Sequence, residues 1–222
     1  MIFPVICLDN FFSDPKEIVE LSKTYSYKST KTYPGLRSND LSENKFFVER
    51  LTNKILSVIY PNEFSLISWY NYCSFQKIPP GIDGDGWIHT DWPNQSELTA
   101  IIYLSENCNV GTSIYKLKNY NIQNPEKGDL KKDYFINHEK YKKEEVNKLI
   151  KQRDSYNNNF EETINIKGIY NRLVMFDSSM WHAAHINNTD EERLTLISFI
   201  SKININYSDK QLNYPIPTMN RL

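Results

Sequence analysis

Little in this chain marks a disulfide framework, a membrane or a nucleic-acid partner. Cysteine is scarce: Cys7, Cys73 and Cys108 are odd in number and widely spaced in 222 residues, which fits reduced thiols in a cytoplasmic setting. Neither sign of charge is in excess. Twenty-six Lys+Arg against 27 Asp+Glu leave a net charge of −1, so nothing electrostatic calls for a nucleic acid or an anionic lipid surface. Long apolar runs are missing too, and no stretch approaches the roughly 20 residues that span a bilayer. The segment from Met1 to Phe12 is apolar but has no cationic start, and Pro4 and Asp9 interrupt it, so it does not read as a signal peptide. Collagen, coiled coil, secreted mini-protein and membrane protein are excluded. What is present is a soluble, aromatic-rich chain of a length that one core serves, and a single domain over residues 1–222 is the expectation.

The first 62 residues read as helical. Asp14-Pro15, with Glu17 three residues after the aspartate, is a helix start with an N-cap acceptor and Pro at the first position. Phe47, Leu51, Ile55, Val58 and Ile59 recur at helical spacing and predict a second helix over about Ser42 to Ile59, stopped by Pro61. Between them, Tyr33-Pro34-Gly35-Leu36-Arg37 is turn chemistry ending in an arginine. After Pro61 the texture becomes β-rich. Trp69–Gln76, Leu98–Leu104, Thr112–Leu117, Arg172–Phe176 and Arg193–Ile200 read as strands. Residues 118–165 form a charged insert, with a helix over about Glu139 to Arg153 and Val146, Leu149 and Ile150 as its inner stripe. Its mixed charges suit a solvated excursion, with a substrate-covering lid as the alternative. Helices first and strands after predict an α+β fold, residues 63–117 and 166–203 making a sandwich or barrel.

Three short motifs could carry chemistry. In His89-Thr90-Asp91, an extended backbone would project the imidazole and the carboxylate from one face. A lone His-x-Asp is also what an exposed polar loop looks like. His182 follows the apolar run Arg172–Phe176 and a polar turn, and His185 competes with it three residues on. Arg193-Leu194-Thr195 places a guanidinium fork and a hydroxyl on one strand face, the pairing best suited to a carboxylate. It is the order that matters. Two His and one Asp with open positions make the facial triad of non-haem Fe(II) sites, and an arginine eleven residues past the last His stands where the distal carboxylate of a chelating keto-acid needs an anchor. A zinc-dependent hydrolase using His182 and His185 is a weaker reading, because the helical His-Glu-x-x-His context and its base are missing.

On these motifs, over about Tyr33 to Ser201, the sequence resembles the 2-oxoglutarate/Fe(II)-dependent oxygenase superfamily. The resemblance lies near its prolyl-hydroxylase-like and phytanoyl-hydroxylase-like members, close to small uncharacterised bacterial and phage-type members with a Tyr-Pro-Gly-x-Arg segment. It implies a double-stranded β-helix (a jelly roll, cupin-like), with the N-terminal helices packed on one sheet and the charged helical insert to the side. It implies Fe(II) held by His89, Asp91 and His182, and 2-oxoglutarate held by Arg193 and Thr195. Tyr103 is a hydrogen-bond donor to that cosubstrate or, alternatively, a core aromatic. Dioxygen is the oxidant and hydroxylation the default outcome, with release of succinate and CO2. The substrate would be a small molecule or a peptide. Arg37, Trp87 and Trp92 could line the entrance, although plain packing explains the two tryptophans as well. The alternative from another class is a non-catalytic cupin-like module that binds a metal or a carboxylate.

Overall fold

The computed structural model describes residues 3–29, 35–80, 86–91, 97–107, 110–118, 143–184 and 191–205. In chain order its elements are β1 (Ile6–Leu8), α1 (Pro15–Lys23), β2 (Tyr27–Ser29), β3 (Leu36–Ser38), α2 (Lys45–Ile59), β4 (Ile67–Ile78), β5 (Leu98–Tyr103), β6 (Thr112–Leu117), α3 (Lys143–Asn157), β7 (Phe160–Ile166), β8 (Leu173–Asp177), β9 (Trp181–Ala184) and β10 (Arg193–Ile205). The fold is α+β and its strands pair antiparallel. One sheet has seven strands in the order β1-β8-β5-β10-β4-β3-β2, the other three in the order β7-β6-β9. Among the described residues no helix is long and apolar enough to cross a membrane.

Both expected helices start on their caps. The Asp14 carboxylate accepts from the amides of Lys16 and Glu17, satisfying donors that the first turn leaves open. For α2 the cap is Asn44, which accepts from the Phe47 amide, so the helix begins at Lys45 and residues 41–43 form a 3₁₀ turn instead of its first turn. Val48, Leu51, Thr52, Ile55 and Leu56 are the buried stripe of α2, and the chain leaves the helix before Pro61, as the steric restriction on a residue preceding proline requires.

That stripe decides which way the long strand β10 faces. Leu194, Leu196 and Ile200 pack with α2 residues, with Cys73 and Phe75 of β4, and with Leu98, Ala100 and Ile102 of β5 in one core. Alternation then turns Arg193, Thr195, Ile197 and Phe199 to the opposite face of the sheet. On that inner face Ile101, Tyr103, Val174 and Phe176 meet Ile114 and Ile166 of the smaller sheet, so the two sheets stack face to face. At about 25 cal/mol per Å2 of apolar surface, each fully buried side chain here contributes roughly 1.5–3 kcal/mol before entropy is subtracted.

Several elements differ from the sequence reading. Phe160–Ile166 lies inside the stretch assigned to the charged insert, yet it is a strand paired along β6. Its two ends are buried and Glu161, Glu162, Thr163, Ile164 and Asn165 between them are exposed, an edge-strand pattern that reads as a solvated excursion. The insert helix runs Lys143–Asn157, displaced toward the C-terminus. Of its expected inner stripe, Ile150 packs against Trp87, Tyr156 and Phe160, while the side chains of Val146 and Leu149 lie outside what is described. Strands β1, β2, β3 and β9 carry no run long enough to register as alternation, at three or four residues each.

Candidate metal centre

Beside β9 the chain returns as a short extended segment. His89 and His182 face each other across it: the His89 amide donates to the His182 carbonyl at 3.0 Å, and the His182 amide to the His89 carbonyl at 2.8 Å. Directly opposed residues of an antiparallel pair project on the same side, and the two imidazoles accordingly lie with ring centroids 4.4 Å apart. Two residues on, Asp91 joins them. Its carboxylate lies 3.7 Å from His89 Nε2 and 3.3 Å from His182 Nε2, and one donor atom from each of the three residues falls within 4.8 Å of the others. Asp91 and His182 are buried and His89 is partly exposed, so the cluster opens on the His89 side.

The orientation of both rings is set by backbone carbonyls. His89 Nδ1 lies 2.7 Å from the Trp87 carbonyl, and His182 Nδ1 lies 3.0 Å from that of Met180. A carbonyl only accepts, so each Nδ1 donates to it and each Nε2 is left turned toward the carboxylate, the nitrogen that a metal-binding imidazole offers. Asp91 is fastened from behind. Thr99 Oγ1 donates to its Oδ2 at 2.8 Å and lies 2.9 Å from Ser178 Oγ, and the Asp91 amide donates to the Ser178 carbonyl. Burial pushes the Asp91 carboxyl up, but the His182 imidazole, then that of His89, and the Thr99 hydroxyl outweigh it and hold it well below the usual carboxylate range. A carboxylate and two imidazole nitrogens facing one point are a donor set that suits a divalent first-row metal.

The second predicted group also converges. Arg193 is buried at the start of β10, its guanidinium carbon 5.4 Å from the Tyr103 ring centroid and its Nε donating weakly to the Val110 carbonyl at 3.4 Å. Tyr103 stands opposite Thr195 in the ladder and its hydroxyl lies 2.7 Å from Thr112 Oγ1. Burial pushes the Tyr103 phenol up, keeping it a neutral donor. Thr195 Oγ1 is fully buried and has no hydrogen-bond partner. Such an orphan costs about 1–3 kcal/mol, and a bound carboxylate beside Arg193 would satisfy it.

Not every candidate falls within the described residues. His185 and Trp92 lie outside them. His182 sits on a strand, so a His-x-x-His pair here does not have the one-face helical geometry that a zinc hydrolase needs. Trp87 packs in the outer cluster, its ring 5.6 Å from that of Tyr156. Thr99 and Ser178, which fasten Asp91, gave no motif, because a hydroxyl one strand away has no fixed sequence spacing. Nor did Asn157 at the end of α3: its amide accepts from the Ile88 N–H at 3.2 Å and donates to the Gly86 carbonyl at 2.9 Å, replacing a neighbouring strand for the His89 segment. Asn157→Ala leaves both groups unpaired at a sheet edge. It is expected to weaken divalent-metal binding by roughly tenfold, in line with the loss of other groups that orient ligands, with Tm lowered by only a few degrees; metal titration alongside thermal unfolding checks this.

Comparison with known proteins bears on the fold and the family. Residues 3–200 match a family model described as a family of unknown function, DUF6445. No curated protein sequence matches. Among solved structures, the chain is similar to an oxidoreductase of the 2OG-Fe(II) oxygenase family from Burkholderia pseudomallei, at 10% identity and TM-score 0.53 over 89% of this chain and 84% of that one. It is similar to HygX from Streptomyces hygroscopicus with nickel, 2-oxoglutarate and hygromycin B bound, at 11% identity and TM-score 0.53 over 90% and 83%. It is also similar to a prolyl hydroxylase from Trichoplax adhaerens in complex with a hypoxia-inducible-factor peptide fragment, at 14% identity and TM-score 0.50 over 89% and 83%. At such identities the likeness is one of fold: the chain is built as these oxygenases are.

Proposed function

We propose that this chain, which belongs to the DUF6445 family of unknown function, is a 2-oxoglutarate- and Fe(II)-dependent dioxygenase that hydroxylates a small-molecule or peptide substrate. The observation that carries the reading is the convergence of His89 Nε2, the Asp91 carboxylate and His182 Nε2, between the same two sheets that bury Arg193 and the partnerless Thr195 hydroxyl. The reading extends to the architecture. The strand order β8-β5-β10-β4 within the larger sheet, and the order β7-β6-β9 with His89 bridged to His182 beyond β9, support reading the fold as a double-stranded β-helix in one domain. A cytoplasmic setting accords with the free thiols of Cys7 and Cys73.

Bound Fe(II) and 2-oxoglutarate would supply the chemistry: O2 is reduced as the keto-acid is oxidised to succinate and CO2, and one oxygen atom enters a substrate C–H bond. The chain's own part is positional. His89, Asp91 and His182 would hold the metal. The Trp87 and Met180 carbonyls fix the rings, and Thr99 fixes the carboxylate. Arg193 offers its fork and Thr195 its hydroxyl to the distal carboxylate of the cosubstrate, with Tyr103 as a neutral donor beside them. Ile101, Ile114, Val174 and Phe176 keep water from the interior, which strengthens each of these contacts.

The test is an anaerobic titration of the metal-free protein with Fe(II) and then 2-oxoglutarate, following the weak visible charge-transfer band of the chelate. A band that needs both components establishes the cofactors. Folded, metal-bound protein without a band would leave a non-catalytic binding module. In the same assay Arg193→Ala is expected to weaken 2-oxoglutarate by roughly ten- to a hundredfold, the range for a hydrogen-bonded charge. Arg193→Lys should also fall well short of wild type, because a point charge does not reproduce a bidentate fork. Wild-type affinity in Arg193→Ala would remove this arginine from the site.

A further inference from the structure

The outer face of the larger sheet carries a groove that the candidate metal centre does not use. By alternation Ile67, Trp69 and Asn71 of β4 share with Cys73 and Phe75 the side turned to α2, away from the smaller sheet. Between this end of β4 and the first half of α2 lies a groove of about 510 Å3, within the roughly 300–1,000 Å3 usual for small-molecule sites. Val48 of α2 with Phe64, Ile67 and Trp69 gives it apolar and aromatic walls. Lys45 and Glu49 also line it. They stand about one helical turn apart, and their opposite charges favour a neutral occupant over an ion.

One lining residue, Asn71, holds an acceptor without a donor. Asn71 is 5% exposed, and its Nδ2 donates to Thr52 Oγ1 at 2.8 Å and to Ser198 Oγ at 3.4 Å. The Thr52 hydroxyl gives its one proton to the Val48 carbonyl at 2.7 Å, so toward Asn71 it accepts. That fixes which end of the amide is nitrogen. Oδ1 is therefore turned away from Thr52 and Ser198, neither of which lines the groove, whereas Asn71 does. This oxygen is buried and has no hydrogen-bond partner. A buried carbonyl left unpaired is a standing cost to the fold, and a donor entering by the groove removes it.

We propose that this groove is a second binding site, for a neutral planar aromatic molecule that carries an N–H or O–H donor. The ring packs on Trp69 and Phe64, where offset or edge-on aromatic contacts are favourable, and the donor meets Asn71 Oδ1. A ring of the same size without the donor leaves the carbonyl unpaired and binds more weakly. The groove shares no residue with His89, Asp91, His182 or Arg193 and lies across the sheet from them, so it stands whether or not those residues bind iron and 2-oxoglutarate.

Indole and N-methylindole differ in that one donor and serve as probes. Isotope-labelled full-length protein is titrated with each, and affinity is read by NMR from the Trp69 indole and Asn71 side-chain amide signals. Wild type is expected to bind indole roughly tenfold more tightly than N-methylindole, about what one buried hydrogen bond confers. Asn71→Leu should bring the two probes to equal affinity, read at Trp69. Trp69→Leu should weaken both several-fold and leave their ratio as in wild type, read at Asn71. Equal affinity of wild type for the two probes overturns the proposal, and so does binding of neither. Shifts centred on His89 and His182 rather than on Trp69 and Asn71 place the probe between the sheets and overturn it equally. A preference for indole that survives in Asn71→Leu removes Asn71 from the site. Where Asn71→Leu does not fold, wild type and Trp69→Leu decide alone, and unchanged affinities in Trp69→Leu overturn the proposal.

Discussion

Asp91→Ala is expected to lose the 2-oxoglutarate charge-transfer band and 2-oxoglutarate turnover, with or without a hydroxylation substrate, while the protein stays folded. Three contributions disappear together. The donor set loses its carboxylate, leaving only the two imidazole Nε2 atoms to face the site. The Thr99 hydroxyl, which now bridges Asp91 and Ser178 at 2.8 and 2.9 Å, loses its stronger acceptor. The site also loses the charge that balances a divalent cation in a water-poor interior, where Coulomb attraction is several times what water allows. Asp91→Asn separates these effects. The amide oxygen still accepts from Thr99, so stability should stay near wild type, but the charge is gone and metal binding should drop nearly as far as in the alanine variant. Fe(II) titration with circular dichroism on the same samples checks both. Turnover by Asp91→Ala close to wild type would end the metal-centre assignment.

The second large effect concerns stability. Gly111→Ala should destabilise the protein by about 3 kcal/mol, the upper part of the range for overpacking. Its Cβ would stand 1.8 Å from the Ile166 carbonyl oxygen and 2.9 Å from the Gly168 amide nitrogen. These are backbone atoms, so no side chain can swing aside. The crossing is tight from both sides, because a Cβ at Gly168 would meet the Val110 carbonyl oxygen at 2.2 Å. Forcing the two segments apart shifts Val110, whose carbonyl accepts from Arg193 Nε, and loosens the packing of Gly168 on the Tyr103 ring. Gly111→Ala should therefore also weaken 2-oxoglutarate, although it touches no ligand. Urea unfolding measures the first effect and the charge-transfer titration the second. A midpoint equal to wild type would mean that the two segments yield easily.

Parts of this architecture are legible in the sequence because their physics is local. Asp14-Pro15 specifies a helix start by itself, and the stripe from Phe47 to Ile59 specifies which face of α2 is buried. Arg193 and Thr195 share a face because alternation leaves no other choice in so apolar a strand. The pairing of His89 with His182 is different: 93 positions separate them, and only the resemblance to a known motif order joined them. Residues whose role depends on a neighbour from another strand gave no signal. Thr99 behind Asp91 and Asn157 along the His89 segment are ordinary polar residues until the register is known. Strand β7 was hidden by its own chemistry, since the exposed Glu161, Glu162 and Asn165 of an edge strand look like a loop.

The two sides of the candidate metal centre differ in how firmly they are tied. β10 is hydrogen-bonded to β4 along one flank and β5 along the other, so its amides open only when the sheet itself comes apart. Among the described residues, the short segment bearing His89 is paired with β9 on one flank and held by the Asn157 side chain on the other, and so short a pairing can open while the rest stays native. The site therefore joins a stiff wall to a compliant flap. A cation shared by His89 and His182 would staple the flap to β9, and slow exchange of the His89 amide would then report occupancy more directly than the melting temperature of the whole chain.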